Sequence, residues 1–121
     1  MLDLNSILVS SENQKKLSEF YKKILRKGQD WEENDYYGFS VGKGWLTIGP
    51  HDKVKGKNIN PERVMFNFET EDVKEEFERM KKEGAKVIAE PYQMGDWEGW
   101  TATFADPDNN YFQLASPWNN E

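Results

Sequence analysis

Few residues of this chain have side chains suited to acid–base or metal chemistry. The 121 residues include one histidine, His51, and no cysteine. Without cysteine there can be neither a disulfide framework nor a thiolate metal site. His51 lies in the polar stretch HDKVKGKNINPE and has no partner at the spacing of a metal site, so we expect it at the surface.

Two glutamates are the candidate general bases. Glu69 and Glu90 each end a run of β-forming residues, and a carboxylate beside an apolar cleft can accept and return a proton. However, Glu69 directly precedes a predicted helix start and Glu90 directly precedes Pro91. A solvated strand end is therefore favoured over a catalytic role for both.

The clearest turn lies in GWTATFADPDNNYFQL, residues 99–114. Two runs with period-two alternation flank DPDNN, a pattern that predicts a β-hairpin. Proline presets φ in a turn, and Asp and Asn bond their own backbone there. The turn is acidic but lacks the further spaced ligands of a calcium loop, so hairpin chemistry explains it better.

The sequence also predicts two amphipathic helices. The first is predicted to begin at Ser11, which forms an S-x-x-Q capping box with Gln14, and to end at Gly28. Its apolar stripe is Leu17, Phe20, Tyr21, Ile24 and Leu25. The second is predicted to begin after the N-cap Thr70 and to end at Gly84, with the stripe Val73, Phe77 and Met80.

The remaining pattern predicts strands over residues 4–10, 37–41, 45–49, 63–69 and 86–90, with a weaker one at 30–33. Val64, Phe66 and Phe68 share one face of the fourth, and Pro91 is expected to stop the fifth. With the hairpin, the chain reads β-α-β-β-β twice, at an offset of 59 positions that places Ser11 on Thr70. We therefore predict one α+β domain over residues 1–121, with modules at about 1–50 and 63–118 and a polar linker at 51–62.

The overall charge narrows the choice of partners. Sixteen basic and 22 acidic residues give a net charge of −6. This disfavours non-specific nucleic-acid binding and weakly permits a cationic small molecule, although solubility is the favoured explanation of the acidic excess. No apolar run reaches the length of a membrane span and no signal-peptide pattern is present, so we expect a cytoplasmic protein.

Three stretches give the chain a specific resemblance: LNSILVSS followed by LSEFYKKIL, FNFETEDVKEEFERMKKEGAKV, and EPYQMGDWEGWTATFADPDNNYFQL. They resemble the vicinal oxygen chelate superfamily, also described as the glyoxalase/bleomycin resistance protein/dioxygenase family. The resemblance implies two βαβββ modules whose mixed sheets curl around a central cleft, usually in a homodimer.

Enzymes of this family hold a divalent metal at four inward-facing strand positions, with histidine and glutamate as ligands. Carried over by motif, these positions fall on Ser6, Thr47, Met65 and Gln113. None of them is a histidine or a carboxylate, so we expect no metal, no cofactor and no metal-dependent glyoxalase or dioxygenase activity. Gln113 keeps the shape and hydrogen-bonding capacity of the family glutamate without its charge.

An aromatic wall with a few neutral polar groups remains for the implied cleft, which is typical of a small-molecule pocket. The predicted ligand-binding residues are Ser6, Trp45, Thr47, Met65, Asn67, Trp97, Trp100, Tyr111 and Gln113. Simple packing is the competing explanation for each tryptophan. The leading hypothesis is a metal-free small-molecule binding protein, as in the bleomycin-resistance branch. The alternatives are a metal-independent isomerase or lyase using Glu69 or Glu90, and a non-catalytic dimeric interaction module.

Overall fold

The computed structural model describes residues 1–118 and divides the chain into two compact units, Met1–Gly56 and Lys57–Glu121. The elements in chain order are β1 (Ser6–Ser10), α1 (Gln14–Leu25), β2 (Trp31–Glu33), β3 (Tyr36–Val41), β4 (Gly44–Gly49), β5 (Phe66–Glu69), α2 (Val73–Lys82), β6 (Lys86–Tyr92), β7 (Thr101–Ala105) and β8 (Tyr111–Ala115). The predicted α+β fold of two βαβββ modules is confirmed. None of the helices in residues 1–118 has the length and apolar character that a bilayer span requires.

Both units repeat one sheet topology. The first sheet has the order β1-β4-β3-β2 and the second has the order β5-β8-β7-β6. In each, the first strand of the module runs parallel to the last, and the other neighbours are antiparallel. The sheets are therefore mixed, and the first and last strands of each module lie side by side.

Each helix covers one face of its own sheet. In the first unit α1 packs on β4, and its stripe residues Leu17, Tyr21 and Ile24 are at most 1% exposed. In the second unit, Phe77 of α2 stacks on Phe104 with ring centroids 5.2 Å apart. Such aromatic contacts add about 1 kcal/mol each to the burial of apolar area. The opposite face of each sheet carries no helix of its unit, and we call it the helix-free face.

The first helix begins two residues later than predicted. Asn13, not Ser11, is the N-cap, and its side-chain oxygen accepts the Lys16 N–H at 3.2 Å. Ser11 still donates its backbone N–H to Gly49, so it completes the strand pairing, and its hydroxyl accepts the Asn13 N–H at 2.9 Å. The predicted capping box with Gln14 is wrong because the sheet uses the backbone of Ser11.

The second helix shows the same shift. Asp72, not Thr70, is the N-cap and accepts the Glu75 N–H at 3.0 Å. Thr70 donates its N–H to Ala115, and its hydroxyl accepts the Asp72 N–H at 3.2 Å. The predicted correspondence of Ser11 with Thr70 is thus visible in the hydrogen bonds of both units.

Other boundaries also differ from the sequence-based expectation, beginning with β1, which starts at Ser6 and not at residue 4. Helix α1 ends at Leu25 because Arg26, with φ of 57°, adopts the left-handed conformation expected of Gly28. Strand β5 begins only at Phe66, and Val64 is 69% exposed. Strand β6 continues through Pro91, because an edge strand tolerates a residue without an N–H.

The predicted linker is bonded to both units. Gly56 donates its N–H to the carboxylate of Glu12 at 3.0 Å. Two residues later, Asn58 bonds to the DPDNN turn through its backbone N–H, its carbonyl and its side-chain amide. The boundary between the units therefore falls between Gly56 and Lys57, inside the segment predicted as a linker.

Asp106 organises the DPDNN turn. One carboxylate oxygen accepts the N–H groups of Asp108 and Asn110, each at 2.9 Å, and the other accepts the Asn110 side-chain amide at 3.1 Å. Asn109 takes the left-handed conformation, with φ of 65°. The acidic residue is thus used in holding the hairpin, in agreement with the hairpin explanation of this turn.

We expect Asp106→Ala to lower the free energy of unfolding by about 2 kcal/mol, because it leaves partly buried N–H groups without an acceptor. Urea unfolding followed by circular dichroism measures this loss. Asp96→Ala makes the same change at an exposed loop position and serves as the control. Equal stabilities of the two variants would contradict the assigned role of Asp106.

Candidate functional site

The register of the first sheet determines which side chains share its helix-free face. Leu8 pairs with Thr47, Thr47 with Gly38, and Gly38 with Trp31. Paired residues point to the same side of a sheet, so these four form one row across all four strands. A second row on the same face contains Ser6, Trp45 and Ser40.

Two tryptophans meet at Gly38 on this face. A Cβ placed on Gly38 would lie 3.0 Å from Cε3 of Trp31 and 3.6 Å from Cε3 of Trp45. Both indoles therefore rest against the bare backbone of this glycine. Trp31 is nevertheless 44% exposed and Trp45 42% exposed, so both retain ring surface for another partner.

Sequence reasoning included Trp45 and missed Trp31. Strand β2 has three residues, all of them exposed, and so lacks the buried alternation that marks a strand. Its pairing with β3 places Trp31 against Gly38. The available signal was the weak strand at residues 30–33, which predicted an extended conformation for Trp31 without fixing its side.

Asp30 secures the strand that carries Trp31. Its backbone N–H donates to Gly38 at 2.8 Å, and its carboxylate accepts the Ser40 N–H at 2.7 Å and an ion pair from Lys27 at 2.6 Å. The hydrogen bond from Lys27, followed by that from Ser40, lowers the pKa of Asp30. The Asp30 side chain thus holds the edge strand β2 to β3 in addition to its few backbone hydrogen bonds. We call the contacts of the Asp30 carboxylate with Lys27 and Ser40 the clamp.

Neutral polar side chains occupy the helix-free face of the second sheet. Asn67 pairs with Gln113, and Gln113 pairs with Thr103. The Gln113 amide nitrogen donates to the Thr103 hydroxyl at 2.9 Å. Among residues 1–118 no donor bonds to the Gln113 amide oxygen, so that oxygen can accept a bond from a ligand. Thr103 carried no sequence signal for this role, because only the pairing of β7 with β8 brings it to Gln113.

Other predicted residues lie close to this row by register. Tyr111 pairs with Ala105 on the same face as Gln113 and is partly exposed. Met65 directly precedes β5 and is 37% exposed. Continuing the pairing of Phe66 with Phe112 places Met65 beside Tyr111.

The structure does not bring Trp100 to the Gln113 row. Trp100 precedes β7 with the parity of the buried face, and Lys74 of α2 places its Nζ 3.7 Å from the ring centroid. Trp97 lies in the loop between β6 and β7, packs on Gly99 and approaches Trp118 at 6.3 Å between ring centroids. Packing within the second unit accounts for both contacts.

Comparison with known proteins identifies the family. The model of the Glyoxalase/Bleomycin resistance protein/Dioxygenase superfamily matches residues 3–114. The chain belongs to this superfamily. It is also 28% identical over 120 residues to the uncharacterized protein YetH of Bacillus subtilis (strain 168), covering 92% of this chain and 95% of YetH.

Solved structures share the fold at low identity. A lactoylglutathione lyase from Agrobacterium tumefaciens matches with a TM-score of 0.77 and 14% identity, over 98% of each chain. The fosfomycin resistance protein FosX from Listeria monocytogenes matches with a TM-score of 0.69 and 20% identity, over 98% of this chain and 93% of that one. A glyoxalase/bleomycin resistance protein/dioxygenase family enzyme from Burkholderia phytofirmans PsJN matches with a TM-score of 0.75 and 18% identity, over 95% of this chain and 98% of that one.

The residues matched by motif to the family's metal ligands have the same register relation in both units. Ser6 pairs with Trp45, so Thr47 lies two residues further along the same face. Met65 and Gln113 stand in the corresponding relation in the second unit, given the pairing of Phe66 with Phe112. Two hydroxyls, a thioether and an amide are poor ligands for zinc, nickel, manganese or ferrous iron. These residues therefore do not fit the family's metal ion.

Acidic and histidine side chains elsewhere offer no replacement site. Within residues 1–118, no group of three or more His, Cys, Asp or Glu could hold a metal ion. Glu69 and Glu90 are both exposed. His51 is exposed as expected, and its Nδ1 accepts the Lys53 N–H at 3.1 Å.

We expect Thr103→Val to release the Gln113 side chain, because valine keeps the shape of threonine and removes the hydroxyl. In NMR spectra the Gln113 side-chain NH₂ signals should then exchange faster with solvent, with a stability loss of about 1 kcal/mol. Thr101→Val is the matched control, since that hydroxyl bonds to the carbonyl of Leu114 at 3.0 Å. Unchanged Gln113 signals in Thr103→Val would contradict the positioning role.

The clamp at Asp30 should respond to pH. Because its pKa is lowered in the folded state, its stabilising contribution is present above the ordinary carboxyl pKa of about 3.9 and is lost as the pH falls through the folded-state value. A carbon-13 NMR titration should place the Asp30 midpoint below the ordinary carboxyl value, with the Trp31 indole signal shifting in step. Asp30→Asn should abolish this shift and Asp35→Asn should not. An ordinary Asp30 midpoint would refute the clamp.

Proposed function

We propose that this chain binds a small organic molecule without a metal ion, through groups on the helix-free faces of its sheets. The observation that carries the proposal is Gln113. At the position of the family's metal-binding glutamate the chain has a neutral amide whose nitrogen is bonded to Thr103 at 2.9 Å. That arrangement positions an acceptor oxygen for a ligand donor and provides no charge for a metal ion.

The chemistry of the two faces supports binding. One face offers half-exposed tryptophans together with Ser6 and Thr47, and the other offers Asn67, Tyr111 and Gln113. Aromatic surface with a few oriented neutral polar groups is typical of small-molecule sites. Of the predicted site, we retain Ser6, Trp45, Thr47, Met65, Asn67, Tyr111 and Gln113.

Binding is favoured over catalysis by the state of the carboxylates. Both Glu69 and Glu90 are exposed, and within residues 1–118 neither forms a hydrogen bond or ion pair that would orient it as a base. The names of the lyase and of FosX describe those proteins. At 14% and 20% identity, these structural matches support a shared fold and do not support a shared reaction.

A homodimer belongs to the same proposal. Apolar side chains on and before the edge strand β1 are highly exposed, with Leu4 at 94% and Leu8 at 59%. A second copy could cover part of this surface, as the family resemblance implies. The expected cytoplasmic location rests on composition and stays a prediction.

Metal analysis and ligand screening test the proposal together. After dialysis against zinc, nickel and manganese we expect sub-stoichiometric metal, and saturable quenching of tryptophan fluorescence by at least one member of a planar organic library. A chelator should not change that quenching. Stoichiometric metal, or a library without any hit, would overturn the proposal.

Gln113→Leu should weaken binding of any hit by about tenfold, the cost of one hydrogen bond of about 1.4 kcal/mol. Gln14→Leu, in the first turn of α1, makes the same change outside the helix-free faces. Isothermal titration calorimetry measures both variants. Equal affinities would remove Gln113 from the site.

A further inference from the structure

The two tryptophans at Gly38 form a surface that the fold of the first unit does not use. Among residues 1–118 no other aromatic ring stacks on Trp31 or Trp45, and no lysine or arginine covers either ring. Both indoles pack through Cε3 against Gly38, so the glycine fixes where they lie. The contact at 3.0 Å leaves no space for a side chain at position 38 without moving Trp31.

The segment that carries Trp31 is strongly acidic. Residues 30–35 read DWEEND, with four carboxylates and no basic residue. Among residues 1–118 Asp30 is the only carboxylate that forms an ion pair with Lys27, and Glu32 accepts a hydrogen bond from the neutral amide of Gln29 at 2.8 Å. Glu32, Glu33 and Asp35 are all exposed and have no ion-pair partner among residues 1–118.

Strand alternation places one of these carboxylates beside the indoles. Glu33 lies two residues after Trp31 in β2 and pairs with Tyr36, so it points to the same helix-free face. The side chains of that face on the other three strands are uncharged, among them Tyr36, Ser40, Thr47, Ser6 and Leu8. The face therefore combines exposed indole surface with uncompensated negative charge at one edge.

We propose that this face, built from Trp31, Gly38, Trp45 and Glu33, is a binding site for a planar organic cation. The inference rests on the proposed function and names its ligand class. Indole rings attract cations through their negative π-faces, and a flat ring adds stacking contact. The acidic segment raises the local concentration of cations and repels anions.

Three probes of matched shape separate charge from planarity: 10-methylacridinium, acridine and acridine-9-carboxylate. They carry a permanent positive charge, no charge and a negative charge at pH 7.5. Titration of the full-length chain at low salt, followed by calorimetry, should show the cation binding about tenfold more tightly than acridine, since cation–π contact contributes about 1–2 kcal/mol. The anion should bind more weakly than acridine.

Variants locate the site. Trp31→Leu and Trp45→Leu should each weaken binding of the cation by at least about tenfold. Trp118→Leu removes an exposed tryptophan of the second unit and should leave the affinity for the cation unchanged. Glu33→Gln should weaken binding of the cation and leave the affinity for acridine unchanged. Its control is Glu78→Gln, on the exposed side of α2. Thermal unfolding of each variant confirms that it is folded.

Every other outcome decides against the inference. If acridine or the anion binds as tightly as the cation and depends on Trp31, the proposed function stands and the cation specificity is wrong. If the cation binds equally to the Trp31→Leu and Trp45→Leu variants, the site is elsewhere. If no probe binds while the library screen gives ligands that depend on Gln113, this face is not the ligand site. If no probe binds and Trp45→Leu alters the sedimentation coefficient, the face is an interface between copies.

Discussion

The parallel pairing of the first and last strands in each module is the constraint on which the rest of this structure depends. It sets Leu8 beside Thr47 in one sheet and Asn67 beside Gln113 in the other. Because side chains alternate along a strand, a shift of one residue would move every one of them to the opposite face. Burial of Leu46 and Phe112 on the helix-covered sides opposes such a shift. The cores thereby determine which groups a ligand can meet.

The junctions between the first strand and the helix have the same hydrogen bonds in both units. Ser11 and Thr70 each donate a last sheet bond before the chain turns, and each hydroxyl then supports the N-cap two residues later. The two units share this hydrogen-bond pattern although few of their residues are identical. Their chemistry differs on the helix-free faces, where the first presents indoles and the second presents amides and hydroxyls. A repeated scaffold thus carries two different sets of recognition groups.

An amide side chain at position 113, which matches the family's metal-binding glutamate by motif, has a different chemistry from a carboxylate. A glutamate would bring a negative charge that helps to bind a divalent metal ion. Gln113 brings one donor, bonded to Thr103, and one acceptor that is left for a ligand. A run of four carboxylates without a basic residue lies elsewhere, in the hairpin segment at residues 30–35. The acidic segment lies beside exposed indoles because β2 pairs with β3 and because both indoles pack on Gly38.

The sequence by itself determined the fold class, the repeated βαβββ order and the turn at DPDNN, and it has neutral side chains at the four positions matched by motif to the family's metal ligands. These follow from local periodicity, turn chemistry and residue type, which each segment carries alone. Only the tertiary structure decided the helix starts, the passage of β6 through Pro91, the bond between Thr103 and Gln113, and the packing of Trp31 and Trp45 on Gly38. Each depends on which strand lies beside which and in what register, and pairing between residues distant in the chain is what local sequence patterns do not encode.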